Sequence, residues 1–130
     1  MPIPPNQLEE RGIKDQKVLQ AIRQVSRELF VPKKYQELAY ADSALPIDCG
    51  QTISQPFIVA YMTEKLKLKA TDRVLEIGTG SGFQTAILAQ LVKEVYTVEA
   101  FSKLSQKAQQ ILEKLGYKNI KYKVGNGKVG

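Results

Sequence analysis

The chain has 130 residues and 14.5 kDa, with 43% apolar and 25% charged side chains, the size and composition of one globular domain with a buried core. It contains no histidine and one cysteine, Cys49, which excludes histidine acid–base chemistry, an internal disulfide and a cysteine- or histidine-ligated metal. The net charge of +6 is skewed toward the end: from Lys103 onward, Lys103, Lys107, Lys114, Lys118, Lys121, Lys123 and Lys128 stand against Glu113 alone.

That basic run has no arginine, the side chain that best suits base edges and bidentate phosphate contacts. It reads as a solvated lysine face, and no nucleic-acid partner is expected. No apolar stretch approaches the roughly 18 residues of a membrane helix. Met1 to Asn6 lacks the basic-then-apolar order of a secretory signal. The expectation is a cytoplasmic protein with no membrane partner.

Pro2, Pro4 and Pro5 make the first residues extended. Asp15 is placed to cap a helix whose Val18, Leu19, Ile22 and Val25 share one face. Pro32 ends the next segment, and Lys33 to Leu38 suits a short helical turn. Ala39 to Thr52 reads as loop with short extended pieces, punctuated by Pro46 and Gly50. Pro56 suits the first position of a helix carrying Phe57, Ile58, Ala60, Tyr61, Met62 and Leu66, with Ser54 beside it as a candidate cap.

From residue 71 the pattern becomes strand, helix, strand, helix, strand. The strands are Arg73–Ile77, Val95–Val98 and a third carrying Ile120, Tyr122 and Val124 between lysines. The helices are Gln84–Val92 and one capped by Ser102, bearing Leu104, Ala108, Ile111, Leu112 and Leu115 and closed by Gly116. Alternation of this kind predicts an α/β fold with a parallel sheet in the order third, second, first strand. Residues 1–70 form a helical and loop segment packing on the core, and residues 71–130 a βαβαβ cofactor-binding half.

Glu76-Ile77-Gly78-Thr79-Gly80-Ser81-Gly82 lies where the first of these strands hands over to a helix, the cofactor position of a doubly wound sheet. It is Gly-x-Gly-x-Gly, with Phe83 where a dinucleotide fingerprint has its third glycine, and it lacks the Lys-Ser/Thr of a P-loop. A short glycine loop led by an acid is the S-adenosylmethionine pattern. Glu76 suits that cofactor's ammonium and sulfonium, and Gly78, Thr79, Gly80 and Ser81 its methionine end. Glu99, at the end of the second strand, suits the ribose hydroxyls.

Three groups of residues go further. They are Arg27-Glu28-Leu29-Phe30-Val31-Pro32; Ala39-Tyr40-Ala41-Asp42 with Leu45-Pro46-Ile47; and Gly50-Gln51-Thr52-Ile53-Ser54-Gln55-Pro56. With the glycine loop and Phe83-Gln84-Thr85-Ala86, they resemble the protein-L-isoaspartate O-methyltransferase family from about residue 9 to the last residue. The Gln51–Pro56 segment is the diagnostic one, since related methyltransferases share the loop.

The resemblance implies a Rossmann-like class I S-adenosylmethionine-dependent methyltransferase fold. It implies methyl transfer to the α-carboxyl of L-isoaspartyl residues in damaged proteins, a repair reaction, with isoaspartyl proteins and peptides as partners. Ser54 resembles the family's active-site serine, orienting the carboxylate, with Thr52 and Gln55 shaping the same pocket. Such a carboxylate has a pKa of about 3.3–3.9 and needs alignment rather than a general base.

Two features depart from the family. Asn126-Gly127 stands where an Asp-Gly contacts the adenine, and Asp48 where a glycine precedes Cys49. The resemblance also implies further strands beyond residue 130, which makes this chain an N-terminal portion, open to association through its unpaired sheet edge. Two alternatives stand beside this reading: another class I methyltransferase acting on RNA or a small molecule, and a non-catalytic cofactor-binding fragment.

Overall fold

A computed structural model describes residues 3–125. Asp15 starts helix α1 (Gln16–Gln24) by accepting from the Lys17 and Val18 amides, and α1 buries Val18, Leu19, Ala21 and Ile22. Short 3-10 turns follow at Arg27–Phe30 and Lys33–Leu38. Strands β1 (Leu45–Pro46) and β2 (Thr52–Ile53) form a small antiparallel pair, with Leu45 opposite Ile53.

Helix α2 spans Pro56–Leu66. Proline has no amide to satisfy at the first helical position, and the cap falls on Gln55 and not on Ser54, the candidate cap. Gln55 makes no side-chain cap bond. Only some of the apolar residues of α2 are buried. Pro56, Val59, Ala60 and Thr63 point inward, while Ile58, Tyr61, Met62 and Leu66 are exposed. The helix is apolar nearly all round, so its spacing alone does not choose a face.

Strands β3 (Arg73–Ile77), β4 (Glu94–Glu99) and β5 (Ile120–Val124) form a parallel sheet in the order β3-β4-β5, as expected. Helix α3 (Phe83–Leu91) follows β3, and α4 (Ser102–Lys114) follows β4. The cap of α4 is Phe101, one residue before the expected Ser102, because the Glu99 carboxylate lies there to accept the Phe101 amide at 3.0 Å. Gly116, at φ 93°, closes α4 as a left-handed terminator.

One apolar cluster spans both parts of the chain. Ile3, Leu8, Leu19, Ile22 and Phe30 from the first seventy residues pack with Phe83, Ala86, Ile87, Ala108 and Leu112. This lays the β2–α2 corner against the mouth of the β3–α3 loop. Among the described residues no helix is long and apolar enough to cross a membrane.

Candidate active site

The glycine loop closes on β4 before it meets any ligand. The Gly78 and Thr79 amides donate to the Val98 carbonyl at 2.7 and 3.2 Å, and the Gly82 amide to the Thr79 carbonyl at 2.9 Å. Gly78, Gly80 and Gly82 all have positive φ. Gly82 is also tightly enclosed, since an added Cβ would lie 3.1 Å from Ala108 Cβ and 3.3 Å from Leu112 Cδ1. At Gly78 and Gly80 an added Cβ would meet nothing within 4 Å, so those two positions front open space.

That space is a cavity of about 400 Å³ between the loop and the β2–α2 corner. Thr52 and Ser54 line it from one side; Glu76, Gly78, Thr79, Gly80 and Ser81 line it from the other. Ser54 and Thr52 are exposed, and neither hydroxyl has a hydrogen-bond partner among the described residues. The Ser81 hydroxyl accepts the Phe83 amide and begins α3.

Glu76 anchors a hydroxyl chain. Its Oε1 accepts from Thr85 Oγ1 and, at 2.7 Å, from Thr97 Oγ1, which lies 2.6 Å from Thr79 Oγ1. Burial pushes the Glu76 carboxyl up to about 7, the two threonine hydroxyls pull it down, and the nearby Glu99 carboxylate raises it further. No lysine or arginine pairs with Glu76 among the described residues. An acid without a cation, on the wall of a cavity, is suited to a ligand that brings its own positive charge.

Two expected site residues are placed elsewhere. Gln55 does not line the cavity; its Nε2 donates to Asp42 Oδ1 at 2.5 Å. Asp42 is held on its other side by a two-point pair with Arg11, and these partners keep its carboxyl below the usual range. Glu99 is buried behind the loop rather than on the cavity wall. It accepts the Gly80 amide at 2.8 Å and the Phe101 amide at 3.0 Å. Each of its oxygens retains a further acceptor position. Asn126 and Gly127 lie outside the described residues.

Sequence reasoning gave no individual role to Thr63, Thr85, Thr97 or Arg27, although Thr85 and Arg27 stand in segments that carry the family resemblance. Thr63 is buried, donates to the Val59 carbonyl and accepts from Gln84, and so ties α2 to α3 across the cavity. The threonines read as ordinary helix and strand residues, and a buried arginine leaves no mark in a periodicity.

A parallel sheet flanked by helices, with a glycine loop after β3 and an acid closing β4, defines a class I methyltransferase fold. The chain belongs to the protein-L-isoaspartate(D-aspartate) O-methyltransferase family, whose profile matches residues 5–130. It is 58% identical over 123 residues to a protein-L-isoaspartate O-methyltransferase of Dictyoglomus turgidum, covering 95% of this chain and 56% of that protein. The chain thus spans just over half the length of the curated relatives it matches. A solved protein-L-isoaspartate O-methyltransferase superposes with a TM-score of 0.81 at 30% identity, over 92% of this chain and 40% of that one. The fold is shared, at 24% identity and a TM-score of 0.76, with a Plasmodium falciparum protein described as a putative protein-L-isoaspartate O-methyltransferase in complex with S-adenosyl-L-homocysteine; the match covers 95% of this chain and 61% of that one.

Proposed function

We propose that the protein is the S-adenosylmethionine-binding and substrate-orienting part of a protein-L-isoaspartate O-methyltransferase. The observation that carries this is the shared cavity: Thr52 and Ser54 face Glu76 and the glycine loop across a single space of about 400 Å³. The bound cofactor supplies an electrophilic methyl on a sulfonium. Glu76, which pairs with no described lysine or arginine, would hold the ammonium of the cofactor's methionine end. The open space at Gly78 and Gly80 lets the ligand approach the backbone. Glu99 holds the Gly80 amide in place and keeps acceptor capacity toward the ribose hydroxyls.

Ser54 acts on the substrate side. Its hydroxyl, without a partner among the described residues, would donate to the isoaspartyl α-carboxylate and orient it toward the methyl group, with Thr52 beside it. No proton has to leave the carboxylate, since it is ionised at neutral pH. The chain's work is to align the two reactants. Gln55 supports this segment indirectly, by pinning the corner to Asp42 and Arg11.

The partners we propose are isoaspartyl proteins and peptides, in the cytoplasm; neither nucleic acid nor a membrane is among them. The edge of β3 that no described strand pairs is proposed as a point of association between chains.

The test is methyl transfer from labelled S-adenosylmethionine to an isoaspartyl peptide, with the aspartyl peptide and an RNA as controls. Label in the isoaspartyl peptide alone is expected. Label in RNA alone would overturn the reading. Cofactor binding without transfer would reduce the chain to a cofactor-binding module. Ser54→Ala is expected to lower turnover with cofactor affinity unchanged.

A further inference from the structure

The side chain of Arg27 is fully enclosed, at 0% exposure, between the two halves of the site. Its Nε donates to the Ala39 carbonyl at 2.6 Å, and its Nη2 to the Ser54 carbonyl at 2.9 Å. The guanidinium carbon lies 4.9 Å from the centroid of the Phe83 ring. Phe83 opens α3 directly after the glycine loop, and its ring meets Phe30 edge-on at 5.9 Å. The Arg27 amide donates to the Tyr40 hydroxyl, which donates in turn to Glu28.

We propose that Arg27 is a positioning residue that fixes the main chain at Ser54 in register with the start of α3, and so holds the substrate side of the cavity against the cofactor loop. The inference rests on the proposed role of Ser54. Three features support it. The arginine has no carboxylate partner among the described residues, and its Nη1 has no hydrogen bond there. Burial pulls its pKa down to about 10. An apolar side chain of similar volume would fill this place without desolvating a charge, so packing alone does not explain the residue.

The second feature is shape. Two carbonyls from separate segments and one aromatic face are met together by a planar fork, which lysine cannot reproduce. The third is the freedom of Ser54 itself. Its hydroxyl has no partner among the described residues, so its position is set by its main chain, between the Arg27 bond and Pro56.

The experiment compares Arg27→Met and Arg27→Lys with the unaltered chain, by nitrogen-15 relaxation, calorimetry and methyl transfer. In Arg27→Met, order parameters of the 52–55 amides should fall from about 0.85 toward 0.6, while those of Ala86 and Ile87 stay rigid. Arg27→Lys, reaching one carbonyl, should be intermediate; it also keeps the test open if Arg27→Met does not fold. Cofactor affinity should stay within about twofold, and KM for the isoaspartyl peptide should rise about tenfold. Unchanged order parameters at 52–55 in a folded variant, or equal loosening of 52–55 and α3, would overturn the proposal. If the unaltered chain transfers no methyl group, the proposed function fails, and the relaxation data still decide what Arg27 does.

Discussion

On one face of the sheet, Val74, Val95 and Ile120 form one row and Glu76, Thr97 and Tyr122 the next, under the cover of α3 and α4. On the other face the rows are Leu75, Tyr96, Lys121 and Ile77, Val98, Lys123, and no described helix lies over them. Leu75 is 63% exposed and Ile77 58%, although both sit in a strand that reads as apolar almost throughout. A strand covered on both faces is written that way, whereas a half-covered one alternates. β5 does alternate, with Lys121 and Lys123 on the open face. The covered face carries the stability and the cofactor-side chemistry, and the open face carries apolar surface with nothing described against it.

The largest effect that distinguishes the faces is a core truncation. Leu112 is fully buried where α4 meets the glycine loop. Leu112→Ala should cost about 2–5 kcal/mol, read as a lower urea midpoint. Gly82→Ala, which puts a Cβ against the same residue at an unfavourable φ, should destabilise by more than about 1 kcal/mol.

The covered face also holds the titrating acid. Glu76 has its carboxyl raised from 4.5 to about 7, so the folded state holds a proton that the unfolded state has released. Its contribution to stability is therefore complete below about pH 4.5 and is lost as pH rises through about 7. The loss should be on the order of 2–3 kcal/mol in cofactor-free protein. Urea unfolding from about pH 4 to about pH 8 should show this slope, and Glu76→Gln should flatten it. A slope that persists in Glu76→Gln would assign the titration to another group.

Glu99→Ala removes the acceptor of the Gly80 and Phe101 amides. It should weaken cofactor binding by about 1.5–3 kcal/mol, the range for hydrogen bonds to a charged group. Calorimetry on the folded variant decides it; unchanged affinity would confine Glu99 to closing the loop.

Much of the covered face was legible from pattern alone. The period of two in β5, the period of 3.6 in α1 and α4, and glycines at the strand–helix joint predict the sheet order and the loop. Legibility ended where pattern carries no information. α2 is apolar nearly all round, so its spacing does not choose the face of Pro56, Val59, Ala60 and Thr63 that is buried, nor show the polar contact of Thr63 with Gln84 across helices. Gln55 was drawn from the cavity to Asp42 by a partner thirteen residues away in sequence. Arg27 is a charged residue in a 3-10 turn, and only three-dimensional packing shows that two carbonyls and a ring enclose it.

The smallest effect on stability belongs to the open face, and it sharpens the comparison most. Leu75 lies in the edge strand β3, whose only partner among the described strands is β4. Its side chain borders an apolar hollow of about 390 Å³ shared with Ile77, Tyr96 and Val98. Because the side chain is already largely in water, Leu75→Lys should change the unfolding free energy by no more than about 0.5 kcal/mol, read from urea unfolding. Exposed apolar strand edges recruit other chains, and a lysine there is a known deterrent. Sedimentation at rising concentration should therefore show self-association in the unaltered chain and less of it in Leu75→Lys. If Leu75→Lys instead unfolds the protein, the open face contributes to the core, and the contrast between the two faces fails.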